Sequence, residues 1–160
     1  IGKWVDRFMV YDSLVDFLGG LGRFDEALRI AGKVKPGSLK SYVFGMVSKA
    51  YLKRGELDKA LLTAGKVLRP SAKSSLLVGI AEWCASNGKV ARARKVLSAA
   101  LATAQKPGLP EDDKAEMLES IALCYSGLGM RRKALQVSRG VEGSRKRKML
   151  QREICNVVKS

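Results

Sequence analysis

Arg145, Lys146, Arg147 and Lys148 form the densest run of charge in the chain, with Arg152 one turn further on. A tetrad of this kind contacts phosphate or acts as a nuclear-import-like signal. Read as structure, it is the solvated start of the last helix. Four cations at a helix N-terminus oppose the macrodipole, so local stability does not account for them. Glu111-Asp112-Asp113, with Glu116 and Glu119, could attract a cation. The alternation and the glycine of an EF-hand loop are missing, and a charged helix start is the expected role. Ala31-Gly32-Lys33-Val34 and Ala64-Gly65-Lys66-Val67 hold a Gly-Lys pair. A phosphate loop also needs a glycine-rich lead and a Ser or Thr after the lysine, so these pairs are read as architecture.

The remaining reactive groups are few. Cys84, Cys124 and Cys155 are widely spaced and include no CxxC pair. They are expected as buried free thiols in a reducing compartment, not as a zinc or redox site. The chain has no histidine, which removes imidazole acid–base catalysis and imidazole metal ligation. No nucleophile elbow or metal-ligand spacing is present, so no enzyme activity, no cofactor and no metal are expected.

Lys and Arg number 30 against 15 Asp and Glu, a formal net charge of +15 spread along all 160 residues. Such a field attracts nucleic acid, an anionic membrane or an acidic protein, and does not choose among them. Hydrophobic residues make up 46%, enough to fold, while aromatics are only 6%, a palette suited to closely packed helices. No run of 18 apolar residues exists, so no membrane span is expected. No secretory signal is visible, and an intracellular, cytoplasmic setting is expected. The chain begins Ile1-Gly2-Lys3-Trp4 without methionine, from which we expect a piece of a longer protein.

The elements that must position these groups are read from a period. Gly22/Ala27, Gly55/Ala60, Gly88/Ala93 and Gly129/Ala134 recur with steps of 33, 33 and 41 residues. A period of this size marks stacked supersecondary units. Ahead of each glycine runs an apolar i, i+3, i+4, i+7 pattern: Tyr11, Leu14, Val15, Leu18; Phe44, Val47, Ser48, Tyr51; Leu77, Ile80, Ala81, Cys84; Leu118, Ile121, Ala122, Tyr125. Each predicts one face of a helix that the glycine ends in a left-handed cap. A second helix follows at once, with alanine at its tightest crossing. Ser38, Ser71 and Ser144 stand where N-caps belong. The eight extra residues of the 41-residue step predict a third-unit second helix longer by about two turns. Ile154, Cys155 and Val158 fall in core columns of a closing helix. The expected fold is all-α: an α-solenoid of four antiparallel helical hairpins in a right-handed superhelix. The repeats span about 5–37, 38–70, 71–110 and 111–143, with a capping helix at 144–160, as one domain over 1–160.

These columns resemble the tetratricopeptide repeat, with pattern W-x2-L-G-x2-Y, A-x3-F, P. Here it reads Phe44-x2-Val47-Ser48-x2-Tyr51, Ala60-x3-Ala64, Pro70, and in the fourth unit Leu118-x2-Ile121-Ala122-x2-Tyr125, Ala134-x3-Ser138. The resemblance covers about residues 5–159. The aromatic of A-x3-F has become Ala31, Ala64, Leu97 and Ser138, which makes the array divergent. The resemblance implies a non-catalytic scaffold that holds a peptide or helix of a protein partner in a concave groove lined by first helices. It implies groove residues Asp12, Asp16, Tyr42, Lys49, Lys53, Glu82, Glu119 and Arg152, with Gly45 and Val78 in the same groove lining. The Lys/Asn/Arg set that clamps a C-terminal carboxylate pair in some members is absent.

Residues 11–15 and 22–28 also look like a pentatricopeptide repeat, a reader of one RNA base per unit. The matching base-reading positions are Asp12, Gly45, Val78 and Glu119, two without hydrogen-bonding side chains and two that repel phosphate. The alternative to the protein-binding scaffold is thus nucleic-acid (RNA) binding through the basic surface, without base reading. Self-association is a third expectation.

Overall fold

The structure, a computed structural model, describes residues 2–33 and 37–156, and side chains from Met9 onward except those of Asp12, Ala31 and Ser38. The expectations for Asp12, Val34 and Val158 concern side chains or positions outside that set. Among the described residues there are nine helices and no strand. They are α1 Gly2–Gly20, α2 Phe24–Lys33, α3 Ser38–Lys53, α4 Leu57–Gly65, α5 Pro70–Ser86, α6 Val90–Ala104, α7 Glu111–Gly127, α8 Arg131–Ser138 and α9 Ser144–Asn156.

One turn geometry joins the helices of all four hairpins. Gly55 ends α3 with φ 77°, a left-handed conformation that costs an L-residue about 1–2 kcal/mol and glycine almost nothing. Its N–H donates to Leu52 O at 2.9 Å, and the next N–H, of Glu56, reaches back to Tyr51 O at 3.0 Å. This pair of bonds is the Schellman cap. It recurs at Gly22, Gly88 and Gly129, where φ is 72°, 70° and 71°. The residue after the glycine then serves as N-cap of the second helix: Glu56 O accepts from Ala60 N at 3.0 Å, and Lys89 O from Ala93 N at 3.0 Å. Gly and Ala are thus the last link of one helix and the first bonded residue of the next. Ala27, Ala60, Ala93 and Ala134 all have no exposed surface.

The chain divides into two compact units, with the boundary between Leu76 and Leu77 inside α5. In the first unit α3 packs on both α1 and α2, and α4 packs on α3. Its core is built from Val15, Leu18, Phe24, Ala27, Val43, Val47, Ser48, Tyr51 and Ala60. In the second unit α7 packs on α6, α8 on α7, and α9 on α7 and α8. Ile80, Ala81, Cys84, Leu97, Ile121, Ala122, Tyr125, Ala134 and Ile154 are its buried centre.

Helix α6 has 15 residues where α4 has 9, so most of the longer step is taken up as helix and the rest by the connection to α7. The serine N-caps need correction. Helix α3 starts from Gly37, whose carbonyl accepts from Ser41 N at 3.2 Å, and α9 from Gly143, whose carbonyl accepts from Arg147 N at 3.0 Å. Helix α5 has Pro70 as its first residue, where a missing N–H costs nothing. The caps therefore lie one residue before Ser38 and Ser144 and two before Ser71, at Gly37, Gly143 and Arg69, and each serine is already helical.

The glycine carbonyls of the two Gly-Lys pairs have matching partners. Lys40 Nζ donates to Gly32 O at 3.2 Å, and 33 residues later Lys73 Nζ donates to Gly65 O at 3.0 Å. In each case a lysine in the first turn of one helix neutralises the carbonyl end of the helix before it.

Candidate functional site

The first helices carry two polar columns one turn apart: that of Asp16, Lys49 and Glu82, and that of Glu119 and Arg152. In the first unit Asp16 on α1 and Lys49 on α3 occupy the same register, and both are exposed beside fully buried neighbours Val15 and Ser48. Tyr42 and Lys53, also on α3, are exposed as well. In the second unit Glu119 on α7 and Arg152 on α9 share a register, and both are exposed; Glu82 on α5 is exposed too. Each unit thus carries an acid on one first-type helix and a base at the matching position of its neighbour. Asp12 lies outside the described side chains. Val78 is buried at 7% exposure and cannot line a groove surface: it faces the core because a valine at this register gains more from burial than from water.

The basic run is not uniform. Arg145, Lys146 and Lys148 are exposed in the first turns of α9. Arg147 is half-buried and donates from Nε to Val141 O at 2.9 Å, holding the α8–α9 turn. It is therefore a structural residue, and sequence reasoning, which sees only charge, gave it the same role as its neighbours. Lys148 and Arg152, with Gln151, Cys155 and Asn156, line an open depression of about 490 Å3 on α9. Arg131, at the start of α8, donates from Nη2 to Cys155 Sγ at 3.1 Å. Arg131 and Gln151 were missed as members of this cluster; the signal available was that both interrupt otherwise apolar columns.

A second cluster surrounds Tyr51. Phe24 stacks on it with ring centroids 4.3 Å apart, Lys59 Nζ lies 5.5 Å from its ring, and Arg54 lies 5.3 Å from the Phe24 ring. Burial pushes the Tyr51 phenol up, helped by the charge of Asp25. Glu56 accepts from Lys59 at 2.7 Å, which lowers the carboxyl and raises the ammonium. Arg54, Glu56 and Lys59 hold the α3–α4 turn at its exposed edge. Burial also raises the Cys84 thiol, and burial with the nearby Glu82 charge pushes Cys124 to about 11. All three cysteines are free thiols. Glu111 pairs with Lys114 at 3.6 Å, and α7 has three acids in its first turn, as the helix dipole favours. Among the described residues no group of three His, Cys, Asp or Glu side chains could hold a metal ion. Among them, too, no helix is long and apolar enough to cross a membrane.

No protein-family model matches the chain, and no curated protein matches it. Solved structures do. A Podosopora anserina kinesin light chain of nearly identical TPR-like repeats superposes with a TM-score of 0.53 at 16% identity, over 96% of this chain and 86% of that one. A single-residue variant of the same protein gives 0.52 at 16% identity, over 96% and 85%. Ton1535 of Thermococcus onnurineus NA1 gives 0.53 at 14% identity, over 96% of this chain and 50% of that one. The fold is that of TPR-like helical repeats.

Proposed function

We propose that the chain is a non-catalytic protein-binding scaffold, which holds an extended peptide or a helix of a protein partner along its first helices. The observation that carries this reading is the pair of polar columns on those helices. Asp16 and Lys49 in one unit share one register, Glu119 and Arg152 in the other share a second, one helical turn earlier, and all four stand exposed. Side chains repeated at one register on neighbouring rigid helices present a ladder to an extended ligand. The alternation of acid and base along the ladder favours a partner of mixed charge and disfavours a polyanion.

Photo-crosslinking tests the reading. A photoreactive residue at Lys49 or Glu119 should capture a protein from the source-cell extract, and the same residue at Lys59 or Arg94, on second helices, should not. Capture that is equal at all four positions, or that disappears on nuclease treatment, overturns it.

The second reading, sequence-tolerant nucleic-acid binding, is favoured by one observation: α6 and α8 carry Arg92, Arg94, Lys95 and Arg131, Arg132, Lys133 with no acid on either helix. Its mark is salt. The logarithm of affinity for a single strand should fall by roughly 0.7 per phosphate neutralised for each decade of salt. A salt-independent complex removes that reading.

A further inference from the structure

The turn that starts each second helix keeps one geometry through the array and changes its charge. Residues 23–26 are Arg-Phe-Asp-Glu and residues 56–59 are Glu-Leu-Asp-Lys, so each such turn of the first unit holds two acids. They neutralise cations there: Arg23 pairs with Glu26 at 2.6 Å, and Glu56 pairs with Arg54 at 3.3 Å and with Lys59 at 2.7 Å. At the same positions the second unit has Lys-Val-Ala-Arg, residues 89–92, and Met-Arg-Arg-Lys, residues 130–133, with no acid in either turn. The glycine ahead of the turn has φ 77° at Gly55 and 70° and 71° at Gly88 and Gly129, so the backbone did not require the exchange. Stability does not call for it either, because a helix start favours an acid and disfavours a cation.

The exchanged cations lie at one end of the second unit. Helices α6 and α8 each pack on α7 and are joined to it by short connections, so both start at the C-terminal end of α7. Lys89 and Arg132 are exposed there, and Lys133 is half-buried. Arg94 and Lys95 continue the exposed cations along α6. The same end carries an aromatic ring that solvent reaches. Trp83, half-buried near the end of α5, has Lys89 Nζ 4.9 Å from its ring centroid. The other aromatic residue of this unit, Tyr125, is buried.

Cations beside an aromatic face are the elements of single-strand recognition. The cations take phosphates, and the ring takes a base that is not engaged in a pair. We propose that Trp83, Lys89, Arg132 and Lys133 form a binding surface for single-stranded nucleic acid, with phosphates on the cations and one base on the indole that Lys89 now covers. The inference rests on the nucleic-acid reading and adds to it a location and an uncharged contact. The surface belongs to the second helices and their turns, apart from the ladder on the first helices.

The test uses the whole chain and a fluorescent oligouridylate of about 12 nucleotides, followed by anisotropy over a range of salt. The wild-type chain should bind it, with the logarithm of affinity falling linearly in the logarithm of salt. Arg132→Ala and Lys133→Ala should each weaken binding and lower that slope by roughly 0.7. Trp83→Leu should weaken binding about fivefold or more with the slope unchanged, and Trp83→Phe should recover most of the loss. Circular dichroism should be the same for all four variants, and Lys49→Ala on the ladder should bind as the wild type does. Annealing the oligouridylate to its complement should remove the dependence on Trp83. Salt-dependent binding that ignores Arg132, Lys133 and Trp83 overturns this site and leaves the nucleic-acid reading standing. Absence of binding at low salt removes both. Equal affinity for polyglutamate, or for phosphatidylserine vesicles, through the same residues assigns the cations to an acidic protein or a membrane and overturns the proposal.

Discussion

The hydroxyl of Ser48 donates to the carbonyl of Ala60 at 2.7 Å, inside the α3–α4 hairpin, and neither residue has exposed surface. The two helices therefore approach so closely at this crossing that a side chain touches the opposing backbone. Ser48 shares its column with Val15, Ala81 and Ala122, all of them small or β-branched and buried.

That contact fixes the outcome of three substitutions. Ala60→Phe overpacks the crossing and should cost about 1–3 kcal/mol or more. Lys59→Phe, next to it, loses an exposed ion pair with Glu56 and the ammonium over the Tyr51 ring and should cost about 1 kcal/mol or less. Ser48→Ala removes one buried hydrogen bond and should cost about 1 kcal/mol, since the Ala60 carbonyl remains within a helix. Urea unfolding of the three variants measures this; equal midpoints for the two phenylalanine variants would contradict the register.

Ser41 and Ser74 occupy one column, yet their hydroxyls differ. Ser41 Oγ accepts the two N–H groups of the α4–α5 turn, whereas Ser74 Oγ is buried with no hydrogen-bond partner. The positions 33 residues after Leu68 and Arg69 lie within α6, where the extended helix has already taken their N–H groups. Ser74→Ala should therefore be neutral or stabilising. Ser41→Ala should cost about 1–3 kcal/mol by leaving two donors without their acceptor. Thermal unfolding that shows both substitutions equally harmful would refute the difference.

Two glycines should respond with opposite signs. Gly55 has φ 77° and open space around it, so Gly55→Ala meets only backbone strain and should destabilise by about 1 kcal/mol. Gly45 lies within α3, also with nothing near a new Cβ, and Gly45→Ala should stabilise by about 0.5–1 kcal/mol. A shift of the melting temperature in the same direction for both would show that one of the two conformations is wrong.

The hairpins were legible in the sequence because Gly and Ala recur at a fixed offset, and the Schellman cap ties both to one backbone geometry. The long α6 was legible because most of the eight extra residues continue the helix without a breaker. The caps at Gly37, Arg69 and Gly143 were not, since a serine near a helix start does not say whether it or a residue one or two places earlier leaves the helix. The α9 depression was hidden for a different reason. Arg131, Lys148 and Arg152 are 4 to 21 positions apart along the chain, and only the packing of α8 on α9 makes them one group. Charge counting also could not separate Arg147, which holds the Val141 carbonyl, from the exposed cations beside it.

Thiol chemistry gives the last test, because the three cysteines sit in three environments. Cys84 and Cys124 are buried, whereas Cys155 is half-buried and lines the α9 depression. An alkylating reagent at neutral pH should therefore modify one thiol quickly and two only on unfolding, and Cys155→Ser should abolish the fast phase. Alkaline pH examines Cys124 further. Burial, aided by Glu82, raises its ionisation in the folded chain to about 11, against an ordinary value of 9.0. The unfolded thiol loses its proton first, so the folded state binds the extra proton between those values. Its contribution to stability is complete below pH 9 and is lost as the pH climbs to about 11. Cys124→Ala should flatten that decline in denaturant midpoint between pH 9 and 11. A decline of unchanged steepness in Cys124→Ala would place the titration elsewhere.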